Sequence, residues 1–395
     1  MSRSPTVLAF GALFAILVGV TAFGIAKNWP DGRTLPASAS LAHPETIRAH
    51  VVAARATPCR VAGATGCSRV TIAIDEGPAK GDRASLQFGD AGGTTHIGVG
   101  DRVLVYENRP PPAALRGSVR FEPYSFADFQ RGRPLLLLAI VFALVVVVTG
   151  RAQGIRALIG LAASLATVIF FVVPAIAEGK PPLQVAAFGG LGVMLLTIPV
   201  VHGGGAKSLA ACLGTAAALF VTLGLADVFT KSAHLSGLSS DEAVYLQTMN
   251  HVSVRGLLLA GMVIGALGVL GDTTVTQAST VLALRRANPG LGFRRLVTEA
   301  TAVGRDHIAA TVNTLVLAYT GAALPILIVF SVGDTSLGGA VGSEAVAEAV
   351  VATLVGSIGL ILAVPATTAL AALLALHMPE RALREAHVHA HVPAR

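Results

Sequence analysis

Apolar runs of 16 to 31 residues recur along this chain, on the scale of the roughly twenty residues that a helix needs to cross a hydrocarbon layer about 30 Å thick. They cover residues 7–26, 135–150, 157–177, 183–201, 208–229, 254–276, 307–331 and 346–376. Charge is correspondingly scarce, at 13% of residues, where a soluble chain carries about 25%. Water is not the main solvent for such a sequence. The pattern predicts an α-helical polytopic membrane protein with about eight transmembrane helices.

The formal net charge of +7 raises the question of a polyanionic partner. Its placement argues against nucleic acid, because the basic residues fall in the short connections between apolar runs. Aromatic residues, at 5%, also leave few surfaces on which bases could stack. With a cytoplasmic amino terminus, the inner segments hold twelve Lys and Arg (Arg3, Arg151, Arg156, Lys207, Arg285, Arg286, Arg294, Arg295, Arg305, Arg381, Arg384, Arg395). The short outer loops hold three, Lys180, Lys231 and Arg255. This asymmetry predicts a multi-pass protein of the cell membrane with both termini cytoplasmic.

The expected organisation follows. Residues 1–26 read as an uncleaved signal-anchor helix; a cleaved signal peptide is the alternative, but the run is longer than a typical apolar core and no A-x-A site precedes Lys27. Residues 27–134 read as a small β-rich extracytoplasmic domain, a barrel or a sandwich. From Lys27 to Arg133 there are 14 Lys and Arg, 10 Asp and Glu, and no long apolar run. Within it Val70, Ile72 and Ile74 alternate with polar or small residues, as do Ile47, Ala49 and Val51, and Val103 and Val105 follow a turn at Gly100-Asp101. Residues 135–378 form a seven-helix transmembrane domain, and 379–395 a cytoplasmic tail bearing His387, His389 and His391.

Cys59 and Cys67 lie in the external domain, where an oxidising compartment lets a disulfide persist. Two free thiols in a surface loop are the alternative. Cys212 falls inside an apolar run and reads as a small buried residue.

The chemistry-bearing stretch runs from Arg255 to Pro325. Gly261, Gly265, Gly268 and Gly271 recur every three or four residues, which leaves one helix face almost bare backbone, as close helix packing in lipid requires. Asp272, Thr276 and Thr280 then continue as a stripe. The following span opens at Arg305-Asp306-His307, and Asp306, Asn313 and Thr320 recur every seven residues. The two helices are antiparallel, so the stripes are expected to meet at the inner end of the bundle. A carboxylate there costs several kcal/mol unless it is protonated, paired or wetted. Asp272, Thr276, Asp306 and Asn313 are therefore the ion-coupling candidates, for a proton or a small cation. The competing reading gives Asp272 only structural hydrogen bonds or a pairing with Arg305. Between these spans, Phe293, Leu296, Val297 and Ala300 set against Arg294, Arg295 and Glu299 predict a short amphipathic helix on the inner leaflet.

Other patterns are weaker. The segment from His202 to Ser208 resembles a phosphate loop, but Val201 and Ala206 stand where glycines are needed, so it reads as a tight cytoplasmic turn. Asp227 reads as interfacial. His251, in a loop, could titrate near neutral pH. No His-Glu-x-x-His, Gly-x-Ser-x-Gly or complete nucleotide loop occurs, and Val269 stands where an intramembrane aspartyl protease needs glycine. The expectation is a protein that is not an enzyme, with no cofactor, no resident metal, no nucleic-acid partner and an unidentified protein partner, if any.

The run from Gly237 to Leu327 resembles the YibE/F family of bacterial multi-span membrane proteins. The resemblance rests on Arg255-Gly256-Leu257-Leu258, Gly265-Ala266-Leu267-Gly268 with Asp272, Asn288-Pro289, Gly304-Arg305-Asp306-His307, and Asn313 to Tyr319 with Leu324-Pro325. It implies one span, an external β domain and then a helical bundle, with a permease-like description and no defined substrate. A looser analogy links the chain to proton-driven secretion-accessory and resistance-type transporters, which also place an Asp after a Gly-rich stretch. More spans lie between the external domain and Asp272 here. The expectation is a transporter in which Asp272 couples an ion to helix movement; the alternative is a non-transporting envelope scaffold.

Overall fold

The computed structural model describes residues 5–32, 46–58, 65–90, 97–108, 122–248, 252–333 and 336–378. They pack as two units, 35–145 and the remainder of the chain.

Among its described residues the smaller unit has five antiparallel strands: β1 (Thr46–Ala56), β2 (Thr65–Ile74), β3 (Arg83–Asp90), β4 (Arg102–Glu107) and β5 (Tyr124–Phe129). Their order is β3-β2-β1-β4-β5, so the first strand sits at the centre. Alternation dictates the inner face: Ala49 and Val51, then Val70, Ile72 and Ile74, then Val103 and Val105 are all buried together, with Leu86 and Ile97 completing the core. The edge strands approach each other, where the Gln87 amide donates to Glu122 at 3.3 Å, which curls the sheet into a half-barrel. Cys67 is buried on β2. Cys59, its expected partner, lies outside the described residues, as do the tail histidines and His251.

The larger unit is helical. Among the described residues six helices are long and apolar enough to cross a membrane, or seven if one bent pair counts as a single span. The first, α1 (Pro5–Lys27), ends where Asn28 donates to the Gly24 carbonyl at 2.8 Å. Trp29 then stacks on Phe171 at 5.6 Å, and Asp31 pairs with Lys180 at 3.1 Å.

Helix α2 (Gly132–Ala177) is 46 residues long, about 69 Å at 1.5 Å per residue and more than twice the hydrocarbon thickness. Two of the apolar stretches in the sequence thus lie in one element. It is broken at Arg151, whose φ of 50° and ψ of −131° are not helical. The turn is sharp enough that a side chain at Gly154 would strike the carbonyl of Val146, so only glycine fits there. Near its end a π-helical turn at Val168–Val172 precedes Pro174. Proline lacks an amide hydrogen and its ring crowds the preceding turn, and the widened turn absorbs both defects.

Next come α3 (Pro182–His202), α4 (Ala206–Ser232), the short α5 (Asp241–Thr248) and α6 (Val254–Ala287). The Ser253 hydroxyl caps α6 by accepting from the Gly256 amide at 3.1 Å, and Pro289 follows its end. Helix α7 (Phe293–Ala322) is bent by 59° against α8 (Leu324–Val332), with Pro325 at the joint. Helices α9 (Leu337–Gly342) and α10 (Glu344–His377) complete the fold.

Helices α4, α6 and α10 form the centre, with α3 and α7 packed outside them. Alanine supplies much of this core, including Ala210, Ala211, Ala260, Ala278, Ala363, Ala371 and Ala375. Small residues let helix backbones approach without a hydrophobic driving force in lipid. The approach is tightest between α4 and α10, where Gly214 faces Thr367 and Gly359 faces Thr222 with no room for a methyl group.

Two sets of polar groups in this core are hydrogen-bonded between helices. Thr215 on α4 meets Thr274 on α6 at 2.6 Å. The Gln277 amide donates to the Ala300 carbonyl of α7 and to the Thr368 hydroxyl of α10, each at 2.7 Å. The expected separate amphipathic helix is not present: residues 293–304 are the first three turns of α7. Their apolar face, Leu296, Ala300 and Gly304, is buried against the bundle rather than laid on a leaflet. The reason is length, since α6 with 34 residues extends about 51 Å and offers a partner to those turns.

Candidate functional site

Helix α6 has two faces of opposite character. Leu259, Val263, Ala266, Leu270, Thr274, Gln277 and Val281 are buried towards the core. On the other side Gly261, Gly265, Gly268, Asp272 and Thr276 are exposed, and Gly271 is half-exposed. A helical repeat of 3.6 residues puts these sets half a turn apart.

The glycines therefore do not mark a close helix contact, contrary to the expectation from their spacing. Nothing lies within 4 Å of where a side chain would begin at Gly261, Gly268 or Gly271, and at Gly265 only the Tyr319 hydroxyl approaches, to 2.9 Å. The larger apolar residues on the opposite side claim the central packing and turn the glycines outward.

What the glycines border is open space. Gly268 and Gly271 line a cavity of about 360 Å3 between the second limb of α2, α3 and α6. Its walls are mostly apolar, with Val172, Val193, Met194, Ile198, Ile264 and Leu267 among them. Asp272 and His202 also line it, together with the hydroxyls of Ser164, Thr167 and Thr197. Ser164 and Thr167 spend their hydroxyl protons on the carbonyls of Gly160 and Ala163, at 2.9 Å each. That leaves their oxygen lone pairs free.

Local backbone geometry positions these groups. His202 is the last residue of α3, and the chain turns away through Gly203 and Gly205, with φ of 82° and 131°. Those values exclude larger side chains, and the segment is the tight turn that its sequence predicts. Ser208 closes the turn by donating to the Gly203 carbonyl. The Asp272 carboxylate is close enough to bear on the His202 imidazole, and so is Lys207 from the first turn of α4. Among the described residues no ion pair involves Asp272, so neither Arg305 nor another arginine neutralises it.

The other candidates are placed differently. Thr276 is exposed one turn beyond Asp272 and does not line the cavity. Asp306 and Asn313 are exposed on α7 and do not line it either. The polar stripes of α6 and α7 thus do not converge on one site. The contact between these helices runs through Gln277, Ala300 and Gly304 instead. Asp227 pairs with Lys231 one turn away at 2.6 Å. Among the described residues no group of three His, Cys, Asp or Glu side chains could hold a metal ion.

His202, Ser164, Thr167 and Thr197 were not identified from sequence. His202 ends an apolar run, and the only signal was its place beside a triple glycine. The three hydroxyl residues occur in apolar helices where serine and threonine normally satisfy their own backbone, so nothing distinguished them.

Several long apolar helices, with a central trio packed through alanine, glycine and threonine, point to a membrane protein. The family model described as YibE/F-like protein matches residues 138–377, well over half of the chain. The chain belongs to the YibE/F-like family. No curated protein and no solved structure matches it.

Proposed function

We propose that this YibE/F-like protein is a transporter or permease-like protein of the cell membrane, in which Asp272 binds a proton or small cation and couples it to helix movement. The observation that carries the reading is the cavity of about 360 Å3 that Asp272 shares with His202. An ionised carboxylate in a dry, unpaired intramembrane setting costs several kcal/mol, and functional sites are where that cost is tolerated. Here the acid faces open space large enough for many waters, with hydroxyls and an imidazole to hold them. Two titratable side chains on one cavity can pass a proton between α3 and α6.

The surrounding backbone supports movement. Val168 and Val172 line the cavity and belong to the π-helical turn of α2. Pro199, in the last turns of α3, removes a helical hydrogen bond near His202. Both irregularities border the ion site, so a change of charge at Asp272 would act on helices already weakened there.

In the proposed topology the chain crosses eight times, α2 twice about Arg151 and the bent α7–α8 pair once. Both termini are cytoplasmic, the β unit is external, and no cofactor or covalent step is required. In liposomes carrying a pH gradient, the full chain should dissipate it. Asp272→Asn should reduce that flux at least tenfold while the purified variant stays monodisperse. Undiminished flux would refute the assignment.

A second reading, an envelope scaffold that moves nothing, draws support from the Thr215–Thr274 and Gln277–Thr368 bonds, which tie the central helices together. Under it the wild-type chain produces no flux, and the β unit captures a protein partner.

A further inference from the structure

A second cavity, of about 400 Å3, opens on the other flank of the glycine face of α6. Leu258 and Gly261 of α6, Tyr319 and Ala323 at the α7–α8 joint, and Glu348 and Ala352 of α10 line it. Among the described residues that line it, Glu348 is the only carboxylate. Along α6, Gly261 and Asp272 are eleven residues apart, about 16 Å, so the two cavities open at different levels of one helix.

The two oxygens of Glu348 have unequal surroundings. Oε2 accepts from the Ser239 hydroxyl at 2.6 Å. Oε1 is shielded from solvent and has no hydrogen-bond partner among the described residues. One turn earlier, Glu344 is the opposite case. Its Oε1 accepts from the Ser236 amide and hydroxyl at 2.6 Å each, and from the Gly237 amide at 2.8 Å. Three donors on one oxygen stabilise a negative charge. The groups that bear on Glu348 are Ser239 from the loop, Glu344 from its own helix and the neutral Tyr319 of α7. The lining residues of α6 and α8 carry no charge. With an anion as neighbour, one bare oxygen and no cation among the described lining residues, the ionised form of Glu348 has only the Ser239 hydroxyl to stabilise it, and a buried bare oxygen costs less on the neutral acid than on the anion.

We propose that Glu348 is a second proton-binding site, neutral in this conformation, which exchanges its proton through the cavity beside Tyr319. One carboxylate and the hydroxyls of Ser239 and Tyr319 are too few to replace the hydration shell of a metal cation, which leaves the proton as ligand. That Glu348 and Asp272 load and unload the same proton rests on the transport reading above; the neutral state of Glu348 does not.

Infrared difference spectroscopy of the full chain reads this directly, because a protonated carboxyl has its own carbonyl band. At pH 7 the wild type should show such a band, and it should shift when the glutamates carry carbon-13. Glu348→Gln, which keeps an oxygen for Ser239, should lose that band, and Glu344→Gln and Asp272→Asn should keep it. A wild-type spectrum with no glutamate-derived carboxyl band at pH 7, or a band that survives in Glu348→Gln, overturns the proposal. The isotope shift decides the question even if the variant does not fold. Full flux in Asp272→Asn would end the transport reading and leave the Glu348 band as it was.

Discussion

Gly214 and Gly268 stand in two long helices of the same bundle, and a methyl group would meet opposite surroundings at each. At Gly214 it would run into the Thr367 side chain and approach its backbone, while at Gly268 nothing lies within 4 Å. Gly214→Ala should therefore destabilise the detergent-solubilised protein by about 1–3 kcal/mol through overpacking. Gly268→Ala should leave stability unchanged or raise it by up to about 1 kcal/mol, since alanine is the better helix former. Thermal unfolding of the two variants checks both. Residue spacing alone could not separate these cases. A glycine every three or four residues is equally suited to a close contact and to an open face, and only the partner helix decides. Gly214 has its partner 153 positions away at Thr367, beyond the reach of any periodicity.

Among the elements, α6 carries both structure and chemistry on opposite faces. Its buried Gln277 is 3% exposed and joins α6 to α7 and α10. Gln277→Leu should cost about 1–3 kcal/mol, because the Thr368 hydroxyl loses its interhelical partner in a dry setting. Combined with Thr368→Val the loss should be smaller than the sum of the two single effects, as a double-mutant cycle of unfolding free energies would show. Much of the element pattern was legible beforehand. The alternation of Val70, Ile72 and Ile74 fixes their face of the sheet, and Asn288 followed by Pro289 caps the end of α6, a stop that proline's geometry makes readable. The order of strands was not legible, since nothing local tells β1 to lie between β2 and β4. Nor was the continuity of α7, because its amphipathic first turns are equally compatible with a leaflet surface and with the flank of a longer neighbouring helix.

At the scale of the whole molecule, family membership and a set of long apolar helices agree with the sequence reading, and Asp272 lines a cavity as an ion site requires. The other half of the expected site, Asp306 and Asn313, lies outside that cavity, and His202 stands in it instead. The sequence offered the acids but not the space between helices. That space depends on how α2 and α3 pack around α6, and their sequences show only uniform apolar character. The proposed ion coupling thus depends on whether water reaches Asp272. The chain has three cysteines; with these replaced, Asp272→Cys can be challenged in sealed vesicles with a charged thiol reagent. It should react at a rate comparable to Lys207→Cys, at the start of α4, and far faster than Leu270→Cys, which is fully buried on the same helix. Reaction at Asp272→Cys no faster than at Leu270→Cys would mean that the cavity is dry, and the ion-coupling role of this carboxylate would be wrong.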